Sequence, residues 1–114
     1  MAFVYAVTAD LFFAERFEQA LRQLGHQAQV VDLSAGPAPG ALPAGVDLAL
    51  IDLEAGPTAL DLVRQAKEAG VKVLAFGPHV DVDLHQAARE AGADRVVPKS
   101  KLTNSFAELI ASLT

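Results

Sequence analysis

Residues 47–53 read Asp-Leu-Ala-Leu-Ile-Asp-Leu, with an uninterrupted apolar run from Leu48 to Ile51 that ends at Asp52. A short apolar run bounded by polar residues is typical of a strand buried on both faces. Strands of this kind belong to parallel sheets, which helices cover on both sides. The stretch therefore predicts an inner strand of an α/β fold.

The sequence on either side of this strand alternates between strand-like and helix-like apolar spacing. Strands are predicted at 3–7, 28–33, 47–53, 71–76 and 95–97, and helices at 11–24, 57–69, 84–91 and from 105 onward. Five strands separated by helices predict a doubly wound, flavodoxin-like parallel sheet with the strand order 2-1-3-4-5.

Local signals predict how the helices begin. Asp10 is placed to cap the first helix, and Pro57 lies in the first turn of the second. Ser105 with Glu108 predicts a capping box for the last helix. Residues 34–46 contain three prolines and three glycines, so the crossover between strands two and three is predicted to be an irregular loop without a full helix.

The composition limits the class of protein. With 114 residues, 52% of them hydrophobic, the chain is expected to form one domain over 1–114. It has no cysteine, and its net charge of −5 comes without a large basic cluster, so nucleic-acid binding is not expected. No apolar run approaches the ~20 residues that span a bilayer, and the first residues lack the basic start of a signal peptide. We therefore expect a cytoplasmic protein that does not bind membranes.

In a doubly wound sheet, ligands bind outside the carboxyl ends of the strands. The polar or unusual residues that the sequence places at those ends are Asp10, Asp52, Gly77, His79, Lys99 and Ser100. Asp52 and Lys99 lie at the same edge of the sheet, and we expect Lys99 to reach toward Asp52 in direct or water-bridged contact. The remaining four are expected to form the rim of the site.

Two stretches carry a resemblance to a known family. Residues 50–53, Leu-Ile-Asp-Leu, and residues 92–100, Gly-Ala-Asp-Arg-Val-Val-Pro-Lys-Ser, resemble the receiver domains of response regulators in two-component systems and phosphorelays. The resemblance implies that Asp52 is the phosphoacceptor for a histidine kinase and that Lys99 contacts the phosphoryl oxygens. It also implies Mg²⁺ held by an acidic pair, and a hydroxyl side chain after strand four.

The sequence departs from that pattern at several functional positions. Thr8 and Ala9 stand where the family has its acidic pair, Gly77 stands where it has a hydroxyl, and Ser100 stands where it has a proline. Only Asp10 and Asp52 remain as oxygen ligands, which predicts weak Mg²⁺ binding and no other cofactor. These departures favour a degenerate receiver, or pseudo-receiver.

The leading hypothesis is therefore a stand-alone, non-enzymatic signalling module with no attached output domain. Its partner is expected to be another protein: a kinase, a regulator, or a second copy in a homodimer. Phe12 is predicted to lie exposed near the mouth of the site. The resemblance adds a contact surface formed by the last strand and its flanking helices, with Leu102, Phe106 and Ile110 near it.

Two alternatives stay open. In the first, the chain is an active single-domain response regulator, phosphorylated on Asp52 with Mg²⁺ held partly by Asp10. In the second, it is a flavodoxin-like protein that binds a small molecule or anion in a crevice between Lys99 and His79. Side-chain oxygens around Asp52 would favour the first alternative, and an apolar cavity beside the crevice would favour the second.

Overall fold

A computed structural model describes residues 1–33, 41–78 and 80–114 of the chain. All of the strand pairings in these ranges are parallel, and the strand order is β2-β1-β3-β4-β5, which confirms the predicted doubly wound sheet. The elements, in chain order, are β1 (Phe3–Thr8), α1 (Leu11–Gln23), β2 (Gln27–Asp32), β3 (Leu48–Asp52), a short 3₁₀ turn (Leu53–Ala55), α2 (Pro57–Glu68), β4 (Lys72–Gly77), α3 (Val82–Ala91), β5 (Arg95–Pro98), α4 (Lys99–Asn104) and α5 (Phe106–Leu113).

Alternate residues of the inner strands pack into two apolar layers, because successive side chains of a strand point to opposite faces. On one face of β1, Val4 and Ala6 pack in a cluster with residues of α1, α4 and α5. On the other face, Tyr5 and Val7 pack in a cluster with residues of α2 and α3. Strands β3 and β4 divide in the same way, so the sheet is covered on both sides.

Most helix starts agree with the local signals. The Asp10 carboxylate accepts the Phe12 N–H at 2.9 Å, and the Asp81 carboxylate accepts the Leu84 N–H at 3.1 Å. Pro57 opens α2. The predicted Ser105 capping box is wrong: its side chain makes no capping bond. The backbone of Ser105 instead links two helices, since its N–H donates to Lys101 and its carbonyl accepts from Leu109.

The Gly-Ala-Asp stretch at residues 92–94 has a structural explanation. Gly92 ends α3 with a φ of 115°, and a Cβ there would lie 2.7 Å from the Lys67 Cγ, so a side chain is disfavoured both by conformation and by space. Two residues later, the Asp94 carboxylate accepts the Val73 N–H at 2.7 Å. This bond satisfies a donor at the start of β4 and fixes the entry into β5.

The predicted irregular crossover falls partly outside the described residues, which exclude 34–40. Its remaining part, residues 41–46, contains bends and turns without helix. Among the helices that the structure describes, none has both the length and the apolar content required to cross a bilayer.

Burial of Tyr5 gives a prediction about alkaline pH. Burial raises the pKa of the Tyr5 phenol above its usual value of 10.0, because the charged phenolate loses water. Below pH 10, folded and unfolded chains both keep the proton; above it, the unfolded chain loses the proton first, and stability falls until the pH passes the folded pKa. Tyr5 is the only tyrosine and tryptophan is absent, so the ultraviolet absorbance of the phenolate reports Tyr5 alone.

The folded chain should therefore titrate at a higher pH than the same chain in urea, which serves as the control. Equal midpoints in the two states would contradict the burial of this phenol.

Candidate functional site

The carboxyl ends of β1, β3, β4 and β5 meet at one edge of the sheet, and Asp52 lies at its centre. The Asp52 side chain has no exposed surface. Its Oδ2 accepts the Thr8 hydroxyl at 2.9 Å and the Ala9 N–H at 3.1 Å, while Oδ1 accepts the Glu54 N–H at 2.9 Å. Both carboxylate oxygens are thus occupied by donors from the two flanking turns.

Thr8 has a larger role than the sequence predicted. It is fully buried, and its Oγ1 donates to Asp52 and accepts the Asp10 N–H at 3.1 Å. One hydroxyl therefore connects the end of β1 with the end of β3 and with the start of α1. Thr8, which stands at the position of an acidic residue in the receiver pattern, therefore has a structural role here.

Among the described residues, the direct ion-pair partners of Lys99 do not include Asp52. Its Nζ lies 3.3 Å from the Glu54 Oε2 and 3.9 Å from the Asp10 Oδ2, and it stands 4.6 Å above the centre of the Phe13 ring. The negative charges of Glu54 and Asp10 attract the Lys99 ammonium group to this position. A cation–π contact with the Phe13 ring favours the same position. The direct partner of Lys99 is thus the half-exposed Glu54 carboxylate, while the buried Asp52 carboxylate accepts the Thr8, Ala9 and Glu54 donors.

The other predicted rim residues differ in their surroundings and exposure. Gly77 ends β4, and a Cβ there would meet Leu53 at 3.4 Å and the His85 Nε2 at 3.8 Å, so these two side chains line the space beside it. Ser100 is exposed in the first turn of α4. His79, the remaining predicted rim residue, lies outside the described residues.

His85 was not predicted to belong to this region. Its ring is buried, and Nε2 lies 3.0 Å from the Pro78 carbonyl oxygen, a geometry in which Nε2–H donates. This bond ties α3 to the turn that follows β4. Helical spacing gave no signal for such a contact, because it depends on how the turn folds back over the helix.

The receiver resemblance implies Mg²⁺, and the residues present do not fit it well. Mg²⁺ requires open oxygen ligands in octahedral geometry. Here the two Asp52 oxygens accept three hydrogen bonds, and the Lys99 ammonium already lies against Asp10 and Glu54. Within residues 1–33, 41–78 and 80–114, no group of three or more acidic, histidine or cysteine side chains could hold a metal.

The predicted partner surface near α4 and α5 needs correction. Leu102 and Ile110 have no exposed surface and belong to the core between α1 and the sheet. Phe106 is half-buried and stacks on Phe17, with 5.5 Å between the ring centres. Leu102 lies in α4, Phe106 and Ile110 lie in α5, and all three pack in or against the core cluster that includes α1. Phe12, in contrast, is 81% exposed, as predicted.

Comparison with known proteins shows which solved structures share this fold. No family model matches the sequence, and no curated protein matches it significantly. Solved structures do match over nearly the whole chain. A response regulator from Thermotoga maritima has a TM-score of 0.74 at 20% identity, covering 99% of this chain and 97% of the other. A receiver protein from Burkholderia phymatum has a TM-score of 0.75 at 21% identity, covering 99% and 94%.

A third structure, a response regulator receiver protein from Pseudoalteromonas atlantica, has a TM-score of 0.77 at 11% identity and covers 97% of this chain and 95% of the other. Likeness at these identities establishes the fold. The chain has the fold of the response-regulator receiver domains, with the doubly wound sheet that the sequence predicted.

Proposed function

We propose that the chain is a receiver-like signalling module that acts by binding another protein and is not switched by phosphorylation of Asp52. The observation that carries this proposal is the state of the Asp52 carboxylate, which is fully buried and accepts hydrogen bonds from Thr8, Ala9 and Glu54. A carboxylate held in this way supports the two turns at the sheet edge. The same edge then has a fixed shape that a partner can recognise.

The active response regulator remains the second candidate, because Asp52 and Lys99 both lie at the carboxyl edge of a receiver fold. Its chemistry needs an oxygen of Asp52 free to attack phosphorus and cations free to offset the charge of the phosphoryl group. Attack through Oδ2 would displace the Thr8 and Ala9 donors, and attack through Oδ1 would take place beside the Glu54 N–H bond. Lys99 would have to leave Glu54 and Asp10.

Binding of a small anion has less support. Lys99 is the cation that such a ligand would need, and two carboxylates already offset its charge. An anion would have to displace both, or bind beside them against their repulsion. We therefore assign the edge to contact with a protein and no enzymatic role to the chain.

Titration with Mg²⁺ tests the proposal against the active regulator. We expect a dissociation constant above about 1 mM, because Thr8 and Ala9 contribute no carboxylate and Asp52 is occupied. The measurement follows the backbone amides of Asp52 and Glu54 by NMR. The amide of Asp47, at the opposite edge of the sheet, is the control for general ionic effects. Saturation at the Asp52 edge below about 1 mM would support the active regulator instead.

A further inference from the structure

We propose that the carboxyl edge of the sheet is a docking surface for a basic and apolar segment of a partner protein. This inference rests on the proposed function and specifies its surface and the chemistry of its partner. The surface, called here the edge patch, consists of four apolar residues, Leu11, Phe12, Val80 and Val82, together with the carboxylates that surround them.

The apolar part of the edge patch is unusually exposed. The exposed fractions are 56% for Leu11, 81% for Phe12, 76% for Val80 and 70% for Val82. These are four of the six large apolar side chains that the described residues expose, and none of the four belongs to either core cluster. Several exposed apolar residues at one edge mark an interaction site more often than a single exposed residue does.

The two halves of the patch lie at one edge but on opposite faces of the sheet, because α1 packs in one core cluster and α3 in the other. Leu11 and Phe12 form the first turn of α1, directly after β1, and Val80 and Val82 lie in and after the turn that follows β4. β1 and β4 are the two neighbours of β3 in a parallel sheet, so their carboxyl ends lie about 10 Å apart. The turn at Leu53–Ala55 lies between them and packs against both strands.

The surroundings of the patch are acidic. Asp10 precedes Leu11, Glu54 lies in the middle turn, and Asp81 and Asp83 flank Val82. Lys99 lies at the same edge, but its charge is offset by Glu54 and Asp10. The patch therefore combines apolar contact area with a negative field, which complements a segment carrying apolar residues and lysine or arginine.

The same charges disfavour other occupants. A second copy docked edge to edge would bring two sets of these carboxylates together, and like-charge contact opposes association. Anionic lipid surfaces and nucleic acids would be repelled for the same reason. A basic protein segment is the partner that meets both the apolar and the electrostatic requirement.

The experiment uses the ¹⁵N-labelled chain and three synthetic amphipathic peptides of equal length. The first combines leucine and lysine, the second leucine and glutamate, and the third serine and lysine. We expect the leucine–lysine peptide to bind at least about tenfold more tightly than either of the others, because it alone meets both requirements. Amide shifts should concentrate at residues 10–12, 53–55 and 80–84, and affinity should fall as salt is raised.

Matched variants locate the contact. Phe12→Ser and Val82→Ser should each weaken binding about tenfold, since large apolar anchors dominate interfaces. Leu24→Ser is the control, because Leu24 is another exposed apolar residue, 42% exposed, at the far end of α1. Asp83→Lys should weaken binding, whereas Glu68→Lys, an equal charge change on the exposed end of α2, should not. All five positions are exposed, so unchanged NMR spectra elsewhere will verify folding.

Several outcomes would overturn the inference. These are equal affinity for the leucine–glutamate peptide, shifts centred away from the edge, or an equal loss of binding in Leu24→Ser. Self-association or binding to phosphatidylserine vesicles that Phe12→Ser abolishes would assign the patch to a second copy or to a membrane. The result is separable from the proposed function, because tight Mg²⁺ binding or phosphorylation of Asp52 would contradict that function whether or not the peptide binds.

Discussion

An Asp52→Ala variant is expected to unfold with a free energy about 3 kcal/mol lower than that of the wild-type chain. The substitution removes the acceptor for three donors, the Thr8 hydroxyl and the Ala9 and Glu54 N–H groups. Hydrogen bonds to a charged group contribute about 1.5–3 kcal/mol each, and a buried donor left unpaired costs about 1–3 kcal/mol. Water that enters the space left by the side chain would recover part of the loss, so the sum is smaller than three full bonds.

Urea denaturation measures this difference, with Asp61→Ala as the matched control. Asp61 is an exposed aspartate whose carboxylate pairs with Arg64 at the surface, so its loss should cost less than about 0.5 kcal/mol. Thr8→Val removes one donor to Asp52 while keeping the shape of the side chain, and should cost about 1–2 kcal/mol. Because the two groups are in contact, the double variant should lose less than the sum of the single losses.

The sign of the Asp52 effect discriminates between the two candidate functions. A carboxylate retained for chemistry commonly lowers stability, so that its removal stabilises the protein. A carboxylate that links turns raises stability. An Asp52→Ala variant as stable as the wild type, or more stable, would therefore count against a linking role and favour the active regulator.

The fold could be predicted from the sequence because its signals are local and mutually consistent. The apolar run at residues 48–51 requires a strand covered on both sides, and the change to helical spacing on either side requires helices as the cover. Once the sheet is predicted to be parallel, short right-handed crossovers leave few possible strand orders. The same reasoning identified which residues reach the carboxyl edge, since each strand end could be located within one or two positions.

The contacts at that edge were less predictable. Lys99 pairs directly with the exposed Glu54 carboxylate, whereas Asp52 is buried and accepts donors from Thr8, Ala9 and Glu54 that the sequence does not encode as a pattern. The partner surface was misassigned for a different reason. The resemblance places Leu102, Phe106 and Ile110 near a contact face, whereas in the structure these apolar side chains pack in or against the core.

The largest expected effect concerns phosphorylation. Acetyl phosphate with Mg²⁺ should not modify Asp52 in stoichiometric amounts. In the reaction, a carboxylate oxygen of Asp52 would form a bond to phosphorus while the bond from phosphorus to the acetate oxygen breaks and acetate leaves. Two anions must approach each other, so the rate depends on groups that offset their charge.

This chain offers few such groups. Lys99 is held by Glu54 and Asp10, Gly77 carries no hydroxyl, and the residues at 8 and 9 are not carboxylates. Loss of a single positioned donor costs about 2.7–4 kcal/mol of transition-state stabilisation in well-studied sites. At about 1.4 kcal/mol per factor of ten, the missing hydroxyl alone slows transfer by roughly 10²–10³. A poorly held divalent cation removes several kcal/mol more, so the total deficit is several orders of magnitude.

Intact-mass spectrometry measures the outcome, with a phosphorylatable receiver domain treated in parallel to show that the donor is active. We expect no phosphoryl adduct on this chain under conditions that modify the parallel sample. The Asp52→Asn variant identifies the site if an adduct forms. An adduct present in the wild-type chain and absent from Asp52→Asn would show that Asp52 acts as a nucleophile despite its hydrogen bonds to Thr8, Ala9 and Glu54. The chain would then be an active response regulator.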